Sequence, residues 1–198
     1  MTNIVYTSNI YSGTRADLIS KIKQAVSSKR FQHILGVEKS AIDLAQKNNY
    51  SLEKASIAAL VHDYAKERTD QEFKEAILKF NLSSDLLNWN NFIWHGVVGA
   101  EFIKTELGIE DEEILNAVRR HTVGDIEMTT LDQIVYVADY IEEGRDFPGV
   151  KEARLIAAEN LKAAVSFETK HTLQFLMENN KVIYPAAILT YNQWVAGK

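Results

Sequence analysis

Four histidines and two aspartates carry the chemistry this sequence offers. His33, His62, His95 and His121 fall 29, 33 and 26 residues apart, and Asp63 follows His62 directly. At that spacing each histidine lies on, or at the end of, a different helix-length segment, so one helical core can collect all four. The aspartates stand out for another reason. The runs IAALV and IVYVA are apolar on every side; the first ends on His62 and Asp63, the second on Asp139. An ionised carboxylate in such a core costs roughly several kcal/mol unless it is paired or bound to a metal. For one buried aspartate, an arginine or a helix terminus is the ordinary answer. Two of them, ending the two most apolar segments with an imidazole beside one, are harder to settle that way and point to a buried His/Asp cluster able to hold a metal. The sequence has no cysteine, so thiolate ligands and thiolate catalysis drop out and only nitrogen and oxygen donors remain. The fifth histidine, His171, is read as an ordinary core or surface residue.

Cations lie close in sequence to these residues: Arg30, Lys66, Arg119, Arg120 and Arg145. Lys66 follows Asp63 by three and His62 by four, so on a continuing helix its ammonium stands above the same face. Arg30 precedes His33 by three, where a guanidinium can take a phosphate bidentately. Surface ion pairs are the ordinary alternative for each. A formal charge of -5 excludes a protein that coats nucleic acid, which needs a broad basic face. A small polyanion needs only a few cations in one pocket.

The elements that must position these groups are helices. Only two prolines, Pro148 and Pro185, interrupt the chain, and most segments repeat apolar residues at three- and four-residue spacing. The expectation is an all-α bundle with helices near 14–27, 30–48, 51–67, 69–80, 95–107, 110–121, 129–143, 150–180 and 185–196. Helices 51–67 and 129–143 form a central buried pair, wrapped by amphipathic ones. Ser51 suits an N-cap, Gly108 and Gly144 suit helix stops, and Asp111 to Glu113 suit a first turn. The 198 residues read as a single domain, with 1–13 as a poorly ordered or extended N-terminal arm. No apolar run approaches the roughly 18 residues of a membrane span, and the N-terminus lacks a signal-peptide pattern, so a cytoplasmic, membrane-free protein is expected. Trp89, Trp94 and Trp194 belong to the core or to a homodimer interface.

With these residues in view, the sequence resembles the HD superfamily of metal-dependent phosphohydrolases, whose pattern H…HD…D is met by His33, His62-Asp63 and Asp139. The strings RFQHILGV, ALVHDYAKE, WHGVVGAE, VRRHTVG and VADYIEEGRDFPGV, in this order, are similar to those of the YqeK-type symmetrical dinucleoside tetraphosphate hydrolases. That resemblance extends over roughly residues 18–195. It implies symmetrical hydrolysis of diadenosine tetraphosphate to two ADP, with iron as the ion and manganese, cobalt or zinc as alternatives. It implies His33, His62, Asp63 and Asp139 as the metal ligands, with Asp63, Lys66, His95 and His121 as the catalytic set. His95 and His121 either contact phosphate or hold a second ion. Arg30, His33, Lys66, Thr122, Asp139 and Arg145 are implied at the polyphosphate, and Ile183, Tyr184 and Pro185 near the nucleoside. Val97, Arg120 and Glu143 depart from the family's usual residues, and none is a proposed ligand. Other readings keep part of this site: an HD phosphohydrolase acting on nucleoside monophosphates, alarmones or cyclic nucleotides, a non-catalytic ADP- or GDP-binding sensor, a structural helical protein, or a di-iron oxygenase.

Overall fold

A computed structural model describes residues 4–197, and among these the chain forms α-helices and no strand. The helices are α1 (Arg15–Ala25), α2 (Ser28–Lys47), α3 (Leu52–Val61), α4 (Asp70–Lys79), α5 (Asn91–Val97), α6 (Gly99–Phe102), α7 (Glu112–Arg120), α8 (Thr130–Ile141), α9 (Val150–Glu159), α10 (Leu161–Glu178) and α11 (Pro185–Trp194). A 3-10 turn covers Ser84–Asn88, and a π turn, Ile103–Leu107, continues α6. Their starts follow from short polar side chains. Ser27, Ser51, Asn90 and Asp111 each accept a first-turn backbone N–H, and Thr14, Thr69 and Thr129 complete capping boxes with Asp17, Glu72 and Asp132. Each such cap contributes about 1 kcal/mol.

The central pair is α3 and α8. Every residue from Ala55 to Val61 is buried, as is every residue from Leu131 to Ala138. Helix α2 packs on both, and α7 packs on both from another side. These four helices carry His33, His62, Asp63, His121 and Asp139 on or at the end of them, so the best-packed part of the molecule holds the site rigidly.

Four boundaries differ from the sequence expectation. Helix α3 stops at Val61, and 62–67 proceed by tighter turns in which Tyr64 N bonds Val61 O at 3.0 Å and Lys66 N bonds Asp63 O at 3.0 Å. On a continuing helix, successive side chains stand about 100° apart; leaving it lets His62 and Asp63 turn to the same place. Expected helix 150–180 is divided at Asn160, whose extended backbone ends α9 and whose side chain caps α10 through Ala163 N. Helix α5 begins at Asn91 rather than 95, because Asn90 caps it; the asparagine-rich stretch has the composition of a loop and the function of a start. Gly144 does not stop α8, which ends at Ile141 with Glu142 extended (φ -51°, ψ 153°). Gly108, in contrast, takes the left-handed conformation (φ 69°) as expected.

Residues 4–13 carry no helix and lie against the core: Tyr11 is buried, and Tyr6 Oη meets Ser56 Oγ at 2.7 Å. Residues 1–3 of the expected arm lie outside the described residues. No helix among the described residues is long and apolar enough to cross a membrane. Trp94 is buried in a small apolar cluster with Phe73.

Helix α10 buries one carboxyl, Glu168, whose Oε2 has no hydrogen-bond partner. Burial, reinforced by the charge of Asp139, raises its pKa well above the ordinary glutamate value. Below the unfolded value both states hold the proton; above it only the unfolded chain releases it, so stability falls as pH rises. Glu168→Gln is expected to flatten the dependence of Tm on pH between about pH 5 and pH 8. An unchanged slope in thermal melts contradicts this assignment.

Candidate metal centre

The four histidines reach one space from four elements. His33 projects from within α2 and His95 from within α5, while His62 and His121 are the C-caps of α3 and α7. In three of them Nδ1 faces a backbone carbonyl: Ala59 O for His62 at 2.7 Å, Asn91 O for His95 at 2.6 Å, and Val118 O for His121 at 2.7 Å. A carbonyl only accepts, so each Nδ1 carries a proton, and each ring when neutral presents its lone pair at Nε2. His33 does the same through Glu142 Oε1, 3.2 Å from its Nδ1.

These lone pairs face carboxylates. His33 Nε2 stands 3.1 Å from Asp139 Oδ1 and 3.5 Å from Asp63 Oδ2, and His62 Nε2 stands 3.9 Å and 3.5 Å from the same atoms. Both Nε2 atoms are buried with no hydrogen-bond partner. Ligand atoms of His33, His62 and Asp139 lie within 4.8 Å of one another, as do those of His62, Asp63 and His121. Lone pairs converging on two carboxylates leave an excess of negative potential that a divalent cation satisfies, and the nitrogen and oxygen donors suit a transition metal. The residues present therefore fit a metal.

Asp63 is the hinge between two halves of this array. Its Oδ2 faces His33 and His62, while its Oδ1 stands 3.5 Å from His95 Nε2 and 4.0 Å from His121 Nε2. The last two nitrogens are 3.0 Å apart, and Thr122 Oγ1 lies 3.1 Å and 3.0 Å from them. Burial acts on every group here. It pushes the Asp63 carboxyl up, but the adjacent His62 charge outweighs it and holds the group well below the usual carboxylate range. Burial likewise opposes ionisation of Asp139, and the adjoining His33 imidazole and the Arg145 charge reverse it. His62 is raised, burial being overcome by Asp63. His95 is held far down by burial and by Lys66, and His121 is pushed down to about 4 by burial and by His62. At neutral pH the carboxylates are ionised and His95 and His121 are neutral.

Three of the five expected cations join the site. Arg30 Nη1 bonds Asp63 Oδ2 at 2.6 Å, and Arg145 bonds the carboxylate of Asp139. Lys66 Nζ lies 3.1 Å from both ring nitrogens of His95, so the turn after α3 delivers it although the continuing helix does not exist. Arg119 and Arg120 do not join. Arg119 pairs with Glu101 and Glu112, and Arg120 with Asp132 at 2.6 Å and Asp125 at 2.9 Å, where they fix α7 to its neighbours. Ile183, Tyr184 and Pro185 sit at the start of α11, with the Tyr184 ring 4.8 Å from that of Trp89. Helix α11 is tied beside His121 and Thr122 by Thr190 Oγ1 donating to Val123 O at 3.0 Å and Trp194 Nε1 donating to Asp125 O at 2.9 Å.

Sequence reasoning missed the residues that hold the ligands. Glu142, buried, accepts from His33 and from Gly144 N at 2.6 Å. Arg154 donates to Ile141 O, Glu142 O and Arg145 O at 2.7–2.9 Å and clamps the loop bearing them. Asn91 Nδ2 donates to Lys66 O at 3.0 Å. The signal for Glu142 was its position three residues after Asp139; nothing local marks Arg154. Two glycines permit the approach: a Cβ at Gly36 would lie 2.6 Å from Glu142 Oε2, and one at Gly96 would lie 2.9 Å from Val118 O. A carboxylate behind a ligating imidazole fixes its tautomer and raises its basicity, so Glu142→Gln is expected to weaken ion affinity about 10- to 100-fold in a metal titration. Unaltered affinity would remove Glu142 from the site.

Residues 30–144 match the HD domain family model. The chain is 42% identical over 183 residues to a symmetrical bis(5'-nucleosyl)-tetraphosphatase of Bacillus subtilis (strain 168), covering 92% of this chain and 98% of that one. It is 33% identical to a protein of the same name from Staphylococcus aureus (strain NCTC 8325 / PS 47), covering 87% and 90%. A crystal structure from Clostridium acetobutylicum, described as a predicted HD superfamily hydrolase involved in NAD metabolism, superposes with a TM-score of 0.88 at 34% identity over 94% of this chain and 99% of that one. The chain belongs to the HD-domain family and, within it, to the symmetrical bis(5'-nucleosyl)-tetraphosphatases.

Proposed function

We propose that the protein hydrolyses dinucleoside tetraphosphates at their centre, diadenosine tetraphosphate giving two ADP. The observation that carries this reading is the array itself: inward Nε2 lone pairs on two carboxylates, edged by Arg30, Lys66 and Arg145. His33, His62, Asp63 and Asp139 would hold the ion, which we take to be iron, with manganese, cobalt or zinc fitting the same donors. A divalent ion there supplies Lewis acidity toward a phosphate oxygen and an acidified water.

The chain's own groups do the rest. Arg30 and Arg145 neutralise the polyphosphate, and Lys66, its pKa lowered chiefly by burial, presents its ammonium at the His95 end. A polyanion seated beside His95 and His121 favours their protonated form, and the Nε2 pair with Thr122 then holds a proton against the departing phosphate. Attack by water at an inner phosphorus breaks one anhydride bond, and the proton goes to the leaving nucleoside diphosphate. Ile183, Tyr184 and Pro185 border one nucleoside. A second ion is the alternative for His121, because its Nε2 lies with His62 and Asp63 in one ligand-sized group. The substrate is a small molecule, acted on in the cytoplasm without nucleic acid; Trp89 and Trp194 remain candidates for a homodimer contact. The test is turnover of diadenosine tetraphosphate by chelator-stripped protein before and after each divalent ion is restored. Restored activity is expected; full activity of protein shown by elemental analysis to be metal-free would overturn the reading.

A further inference from the structure

A symmetrical substrate has two nucleoside ends, and the groups described so far account for one. At its His33 end the array opens into a cleft of about 680 Å³. That volume suits a nucleotide-sized ligand rather than a lone ion, since small-molecule sites occupy about 300–1,000 Å³. Its lining includes Arg30, His33 and Arg145 from the array but none of Lys66, His95, His121, Thr122 or Tyr184. The Tyr184 corner lies at the other end, tied through α11 to Val123 and Asp125 beside His121. Asp63 divides the two directions, Oδ2 toward His33 and Arg30, Oδ1 toward His95 and His121.

The charges in the cleft are arranged for an anion entering from outside. Its carboxylates are already engaged: Glu142 with His33 and Gly144, Glu143 with Lys39 at 2.6 Å, and Glu67 with Ser27 N and Oγ at 2.6 Å. Of its cations, Lys39 pairs with Glu143 and Arg145 with Asp139, and two keep uncommitted donors. Lys29 has no ion pair among the described residues, and the buried Nε of Arg30 has no hydrogen-bond partner although its Nη1 holds Asp63. An unsatisfied guanidinium N–H at the junction of array and cleft is a donor awaiting an oxygen. From that junction the face of α2 bearing exposed Lys29 and Gln32 and the partly buried Leu35 runs outward.

We propose that this cleft seats the second nucleoside diphosphate half of the substrate, its inner phosphate against Arg30 and Arg145 and its nucleoside along the Lys29, Gln32 and Leu35 face. The tetraphosphate then lies across Asp63 with two phosphates on each side, which places the cut at the centre. The proposal rests on the reading under Proposed function and deepens it.

Gln32→Trp fills the cleft from an exposed position, and Lys29→Glu reverses its unpaired charge without adding bulk, so the pair guards against a folding artefact in either. For both, KM for diadenosine tetraphosphate is expected to rise about tenfold, kcat to stay within about twofold, and the inhibition constant for ADP, which retains the Tyr184 end, to stay within about twofold. The unmodified protein is assayed first. If it does not cleave the dinucleoside, the reading under Proposed function falls. If it does and both variants leave KM unchanged, or raise KM and the ADP constant together, that reading stands and the second seat is overturned.

Discussion

Alanine at Asp63 is expected to lower kcat/KM for the dinucleoside by more than about 10³-fold and to lower the ion retained per chain in parallel. This side chain is the one carboxylate shared by both halves of the array, touching His33, His62, His95 and Arg30 at once. Its loss removes a proposed ligand, and even outer-shell partners of metal ligands are worth about 10- to 100-fold. Asp63→Asn keeps the shape and removes the charge, so a folded but ion-free and inactive variant separates the ligand role from a packing defect. Undiminished ion content in a folded Asp63→Ala protein would contradict the assignment.

The second large effect is expected at Lys66. Lys66→Met retains the aliphatic stem and removes the ammonium, which stands over the Phe92 ring and beside His95. Removing one pre-placed donor to developing charge costs about 10²–10³ in kcat. Ion content is expected to stay that of the unmodified protein, because Lys66 Nζ contacts His95 and none of the four proposed ligands. That combination, lost rate with retained metal, distinguishes Lys66 from Asp63; loss of the ion together with rate would move Lys66 into the ligand framework.

The sequence made the donors legible because burial and charge conflict so sharply there. IAALV and IVYVA can only be central helices, and a carboxylate ending each has few physical outlets, so the pairing of α3 with α8 and a buried His/Asp cluster follow from composition and period, while the choice of ligands within that cluster came from the resemblance to the HD family. Arg30 and Arg145 were legible by proximity. Arg119 and Arg120 were not separable from them, since whether a cation meets a carboxylate ligand or a structural one such as Asp132 is decided by partners far along the chain. Glu142 and Arg154 were hidden for the same reason: His33 and Glu142 meet across 109 positions. The end of α3 at Val61 had no local sign either. No glycine or proline stands there, and 62–67 simply pass into tighter turns that keep their own backbone hydrogen bonds.

The central claim is cleavage at the middle of a tetraphosphate by a metal-holding His/Asp array. Diadenosine tetraphosphate incubated with the ion-loaded protein and resolved by anion-exchange chromatography tests it most directly. The account predicts ADP as the sole nucleotide product from the earliest time points; AMP and ATP appearing in equal amounts would contradict it.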